Sequence, residues 1–226
     1  MTIVAIHQSQ YLPWPPYFRK MAEADIFVVL DAVQYQKNGV QNRNRIRNRD
    51  AAFWLTVPVT GHLGDLISEK QIADPAWRVR HWKSIEMSYS GAPFWGVYAG
   101  DLEAVYAAEY TKLGEVNEQC LAFFLKHLPI KARTLRLSDM SINAAKSDLV
   151  LEICKAVGGE VYISGYGGKT YLREEDFKKS GIKIDYRESS PPRYKQFHGD
   201  FIEGLTLLDM MFNVDLSEIT GYLYET

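Results

Sequence analysis

Residues 2–30 read TIVAIHQSQYLPWPPYFRKMAEADIFVVL, and their patterning decides the fold class. TIVAI (2–6) and DIFVVL (25–30) are continuous apolar runs of strand length, which is how strands buried on both faces of a parallel sheet are written. PYFRKMAEA between them has helical length and an apolar stripe. Together they predict a β-α-β unit with a right-handed crossover. The first strand ends at His7, and Pro13, Pro15 and Pro16 then crowd with aromatics into a turn far stiffer than a simple reversal requires.

Working outward, the C-terminal half repeats this alternation. RTLRLSD (133–139) reads as a strand, SDLVLEICKAVGG (147–159) as a helix closed by glycine, and EVYISG as a strand. REEDFKKSG follows as a helix, IKIDYRE as a strand, and FIEGLTLLDMMFN as a last helix that buries Leu205, Leu208, Met211 and Phe212. The expected architecture is α/β, with a mostly parallel sheet and helices on both faces. Between the halves, AAFWLTVPVTG and DLISEKQIAD read as a β-hairpin or two edge strands, because Pro58 is excluded from a central ladder. Three helices follow, within PAWRVRHWKSIEMSYSG, APFWGVYAGDLEAVYAAEY and LGEVNEQCLAFFLKHLP. We therefore expect a single α/β domain over 1–226, with 53–130 as a hairpin and helical insert or cap subdomain.

A chain of 226 residues with 46% hydrophobic and 24% charged residues has the composition of a globular protein, and its net charge of −2 gives no global attraction to nucleic acid or membrane. No apolar run approaches the roughly 18 residues of a membrane span, and the N-terminus does not read as a leader. The expected compartment is the cytoplasm. Cys120 and Cys154, each in a helical run, read as small buried thiols. G-x-S-x-G, H-E-x-x-H and C-x-x-C are absent, which removes the common serine-hydrolase and zinc signatures; nothing calls for a metal.

Chemistry-bearing residues gather where strands end. His7 and Gln8 close the first strand, Asp31 the second, and Ser164 and Gly165 the VYIS strand, so the carboxyl rim of the sheet is the expected site. His7 titrates near neutrality and can serve as general base, or else bond a neighbouring carbonyl. YQKNGVQNRNRIRNR (35–49) holds Lys37, Arg43, Arg45, Arg47 and Arg49 with no acid among them. Extended geometry puts Asn42, Asn44 and Ile46 on one side and Arg43, Arg45 and Arg47 on the other. This is either a solvated basic loop or a phosphate site built from guanidinium forks and amides. SGYGGKTYL (164–172), with Lys169 and Tyr171, is either a plain turn or a glycine-rich approach to a phosphate. Lys146 and Ser147 open a helix, Ser147 as a plausible N-cap and Lys146 as a phosphate partner. Tyr194 and Gln196 stand to close the site from the C-terminal side, with aromatic packing the other reading of Tyr194.

HQSQYLPWPPYFRKMAEADIFVVLDAVQYQKNGVQNRNRI, WLTVPV, AAKSDLVLEICKAVGGEVYISGYGGKTYL and YKQFHGDFIEGLTLLDMMFN together resemble the WbqC-like protein family over nearly the whole chain. The family's turn has the form H-Q-P-x-Y-L-P-W-x-G-Y-F. His7, Gln8, Tyr11, Pro13 and Trp14 match it, whereas Ser9 replaces a proline and Pro16 a glycine. The resemblance implies a place in O-antigen or other surface-polysaccharide (lipopolysaccharide) biosynthesis and an acyl or aminoacyl, even glycyl, transferase. On a Rossmann-like sheet of this kind, the arginine and asparagine loop and Lys169 are expected to hold the diphosphate of a nucleotide-linked amino sugar, while His7 accepts the amine's proton. The donor stays open between acyl-CoA, an aminoacyl-tRNA and ATP plus free acid. Two alternatives remain: an ATP-dependent amide ligase or nucleotidylyltransferase-like enzyme, suggested by the His-containing turn, and a non-catalytic nucleotide-sugar binding protein. No membrane or stable nucleic-acid partner is expected, and the oligomeric state stays open.

Overall fold

The computed structural model describes residues 1–62, 64–188 and 190–225. In chain order the elements are β1 (Ile3–Gln8), α1 (Pro15–Ala22), β2 (Ile26–Leu30), β3 (Arg43–Arg47), β4 (Ala52–Thr56), β5 (Val59–Thr60), β6 (Gln71–Ile72), α2 (Trp77–Tyr89), α3 (Trp95–Ala107), α4 (Leu113–His127), β7 (Arg133–Arg136), α5 (Lys146–Ala156), β8 (Val161–Gly165), α6 (Glu174–Lys179), β9 (Lys183–Arg187), α7 (Leu207–Asn213) and α8 (Leu216–Tyr224). The chain divides into two compact units. The first comprises Met1–Gln8, Pro16–Ala32 and Ile130–Ser190; the second comprises Ser9–Pro15, Val33–Pro129 and Pro191–Thr226. The segment of the second unit that contains residues 53–129 thus starts at Val33, and the unit also takes in the β1–α1 turn and the C-terminal segment, while Ile130 falls in the first unit.

The first unit is the α/β body. Its five strands are all parallel, in the order β7-β2-β1-β8-β9. In sequence order within this sheet that is 3-2-1-4-5, the Rossmann-like arrangement, so the direction of winding reverses between β1 and β8. Apolar runs explain the centre: Val4, Ala5, Ile6, Phe27, Val28, Tyr162 and Ile163 are all buried. Charged side chains explain the edges, since β7 carries Arg133 and Arg136 and β9 carries Lys183, Asp185 and Arg187, which discourage further strand pairing. Pro15 and Pro16 occupy the first turn of α1, where the missing N–H groups would find no helical partner anyway.

The second unit holds two small antiparallel sheets, β3-β4 and β5-β6, with α2, α3, α4, α7 and α8. The arginine-rich segment is therefore a strand, paired with β4 from Arg43↔Thr56 to Arg47↔Ala52, rather than a loop. Pro58 lies between β4 and β5, outside both ladders. An aromatic core forms around Trp77, Tyr11, His81 and Tyr106, and Trp82 stacks on Trp95 at 5.6 Å. Ser9 Oγ accepts from Asn117 Nδ2 at 3.0 Å, a bond that a proline at this position lacks. The last helices depart from expectation: residues 201–206 are not helical, α7 starts at Leu207, and α8 follows it. Thr206 caps α7 by accepting from the Leu208 N–H. Thr206→Ala is expected to cost about 1 kcal/mol in a urea unfolding experiment.

Candidate functional site

The sheet of the first unit opens at its carboxyl edge. β1 stays paired with β2 as far as Gln8↔Leu30, and β8 stays paired with β9 as far as Gly165↔Arg187. Between β1 and β8, however, pairing stops at Ala5↔Ile163. Ile6, His7 and Gln8 on one strand and Ser164 and Gly165 on the other thus run on without pairing to each other, at the point where winding reverses. In open α/β sheets this is where ligands bind.

The gap draws in a lysine. The Thr2 carbonyl accepts from the Val161 N–H, so by strand alternation the Ile6 carbonyl also faces β8. Its acceptor position is filled by Lys20 Nζ, reaching from α1 at 2.9 Å. The same ammonium lies 5.7 Å from the centre of the Tyr162 ring. Burial pulls the Lys20 amine down to about 8, against an opposing effect of Cys154. Lys20 was missed by reading the charge runs, but it sits three residues after the buried Tyr17 and four after Pro16, on the face of α1 that packs inward.

His7 packs its ring against Tyr17, with centroids 4.9 Å apart, and its Nδ1 lies 3.4 Å from the Gln8 carbonyl. Desolvation is the main force lowering its pKa to about 3; the Lys20 charge adds to this, and the Gln8 contact works against it. His7 is therefore a neutral imidazole throughout the physiological range and a weak base in the free protein.

The other predicted residues of this unit take specific places. Asp31 Oδ1 accepts from the Ser138 N–H at 3.0 Å, tying the end of β2 to the turn after β7. Residues 166–170 form a 3-10 turn rather than an open glycine loop. A Cβ on Gly168 would stand 2.1 Å from Ser164 Oγ, so this glycine serves packing against β8. Lys169 lies over the rings of Tyr166 and Tyr186 at 4.7 and 5.1 Å, and Tyr171 is half exposed. Ser147 does not cap α5: Ala145 holds the cap position, and Ser147 Oγ accepts from the Arg173 N–H at 2.9 Å. Lys146 opens α5 with a φ of 53°.

In the second unit the predicted residues separate. Lys37, Asn42 and Arg43 line one cavity. Tyr11 is buried, its hydroxyl bonded to His81 Nδ1 at 2.8 Å and to the Tyr106 hydroxyl at 2.6 Å. Asn44 Nδ2 donates to the Leu12 carbonyl at 2.6 Å, fixing a leucine whose φ is 44°. Arg45 donates to the carbonyls of Glu203 and Gly204, and Gln196 accepts from Arg47 Nη1 at 2.6 Å. Tyr194 donates to Asp209 at 2.7 Å. Asn44, Arg45, Gln196 and Tyr194 thus hold the unit together through hydrogen bonds to other protein groups. Alternation puts Arg47 on the same side as Arg43 and Arg45, yet unlike them it is buried, at 2% exposed.

Among the described residues no group of His, Cys, Asp and Glu is arranged to hold a metal, and no helix is long and apolar enough to cross a membrane. Both cysteines are free and buried, as expected.

The sheet order and the opening between β1 and β8 define a Rossmann-like α/β protein with its candidate site at the switch point. The chain belongs to the WbqC-like protein family, whose model matches residues 8–220. It is also similar to a Mycobacterium tuberculosis protein described as "Uncharacterized protein Rv1507c", 33% identical over 227 residues that span 99% of this chain and 98% of that protein. No solved structure matches the chain.

Proposed function

We propose that this protein is a transferase that moves an acyl or aminoacyl group, such as glycyl, onto the amine of a nucleotide-linked amino sugar in O-antigen or other surface-polysaccharide biosynthesis. The observation that carries the reading is the opening between β1 and β8, with His7 and Gln8 on one lip and Ser164 and Gly165 on the other. Nucleotides bind Rossmann-like sheets at this position, and Lys20 supplies positive charge there. In the reaction the sugar amine attacks the acyl carbonyl carbon. The C–N bond forms, the bond from that carbon to its leaving group breaks, and the proton from nitrogen passes to His7. An anionic ligand offsets the Lys20 charge that helps depress His7, so binding raises the basicity of the imidazole when it is needed.

A thermal-shift series with a nucleotide-linked amino sugar, ATP and acyl-CoA tests this. A ligand at 100 times its dissociation constant adds about 2.7 kcal/mol, and the amino-sugar nucleotide is expected to stabilise. Stabilisation by ATP alone would transfer the protein to the ligase class. His7→Gln is expected to keep nucleotide binding and to lower turnover by about 10²- to 10⁴-fold; full turnover in that variant would remove the base role.

A further inference from the structure

We infer that the second unit carries a separate binding site for a phosphorylated, hydroxyl-bearing small molecule, in the cavity where Lys37, Asn42 and Arg43 meet His62 and Lys70. The cavity has a volume of about 450 Å³, and among the described residues no aspartate or glutamate lines it. That volume suits a sugar phosphate or nucleoside phosphate and far exceeds an inorganic ion.

Its cations are not equivalent. Lys70 is buried and already answered by Asp65 Oδ2 at 3.2 Å and the His62 carbonyl at 2.8 Å. Among the described residues, Lys37 and Arg43 form no ion pair. Arg43 is held in place all the same: its guanidinium lies 4.3 Å from the centre of the Trp54 ring, and Nη2 donates to the Asn38 carbonyl. A fixed guanidinium together with an exposed ammonium, with no carboxylate among the described lining residues, is the pairing that selects a phosphate dianion.

Two buried atoms lack partners at this place, and they are of opposite kind. Arg43 Nε is a donor with no acceptor. Asn42 is 5% exposed; its Nδ2 donates to the Val57 carbonyl at 2.8 Å, which fixes the amide orientation and leaves Oδ1 an acceptor with no donor. Leaving such groups unmet in the interior is costly, because each has given up its hydrogen bonds to water without replacement. A bare anion answers only the arginine. A ligand with a phosphate for Lys37 and Arg43 and a hydroxyl for Asn42 Oδ1 answers both. The cavity is a single concave site rather than a basic stripe, which favours a small molecule over a nucleic-acid backbone.

The inference does not rest on the transferase reading, and His7→Gln is expected to leave this binding unchanged. Titration calorimetry with inorganic phosphate, free glucose, glucose 6-phosphate, ribose 5-phosphate and a nucleoside monophosphate tests it. At least one phosphorylated sugar is expected to bind ten times more tightly than inorganic phosphate, with free glucose silent. Arg43→Gln and the exposed Lys37→Ala are each expected to weaken that binding tenfold or more. Equal affinity for inorganic phosphate would reduce the cavity to a plain anion site and overturn the hydroxyl contact. No binding in the panel, or unchanged affinity in a folded Lys37→Ala, would overturn the site itself.

Discussion

Asp209→Ala is expected to lower the unfolding free energy by about 2–6 kcal/mol, because two buried hydroxyls lose their acceptor at about 1–3 kcal/mol each. Asp209 is fully buried and accepts from the hydroxyls of Tyr89 at 2.9 Å and Tyr194 at 2.7 Å. The Tyr89 hydroxyl accepts in turn from the Arg47 backbone N–H at 3.2 Å, and the Arg47 guanidinium is held by Gln196 and the Asp200 carbonyl. Burial is the main influence raising the Asp209 carboxyl above its ordinary value; Tyr194, Tyr89 and the Arg47 charge pull it back. Alanine would leave two phenol hydroxyls without their acceptor and a buried guanidinium without its carboxylate neighbour. Asp209→Asn keeps one acceptor and is expected to cost less, about 1–3 kcal/mol. In a double-mutant cycle Asp209→Ala and Tyr194→Phe should couple by more than about 0.5 kcal/mol. Urea midpoints measure all three, and an Asp209→Ala protein within experimental error of the parent would refute the account.

This network shows why some of the molecule is legible in its sequence and some is not. The strands of the parallel sheet could be read because burial on both faces writes a continuous apolar run, a signal contained within each segment. The β3 segment was half legible. Alternation put Asn44 and Ile46 on one side, and both are buried, but Arg47 is buried as well because its acceptors come from Gln196 and Asp200, 149 and 153 positions away. No local pattern announces partners at that distance. Lys20 was hidden for a related reason. Its place depends on a gap in the β1–β8 ladder, which is a property of strand pairing and not of residues 15–22. Ser147 shows the opposite failure: a residue type favoured at helix N-termini bonds instead to Arg173, from the turn ahead of α6.

Stability is expected to fall steeply on mild acidification, and two histidines set the direction. The pKa of His7 is lowered to about 3 and that of His81 to about 4, in both cases mainly by burial. Each stays neutral in the folded protein while its unfolded counterpart takes a proton near 6.5. Below that pH the unfolded state binds more protons, so the stability each histidine contributes is whole above about 6.5 and is lost as pH falls toward the folded value. The slope is on the order of 1 kcal/mol per pH unit for each. For His81 the geometry supplies the cause. The ring is enclosed by Trp77 and Tyr106, and Nδ1 lies 2.8 Å from the Tyr11 hydroxyl, while a hydrogen bond with the Thr56 backbone works against the burial. Asp209 works in the opposite sense, since its raised value favours the folded state as pH falls toward the range of an ordinary carboxyl. The histidines act first because their window opens near 6.5. Urea unfolding from pH 7.5 to 4.5 should therefore show a loss of several kcal/mol, and in the His7→Gln, His81→Gln double variant the curve should flatten over that range. Because His7 lies in the first unit and His81 in the second, each single variant should remove part of the slope. A parent protein equally stable at pH 7 and pH 5 would show that neither imidazole is held neutral by its surroundings.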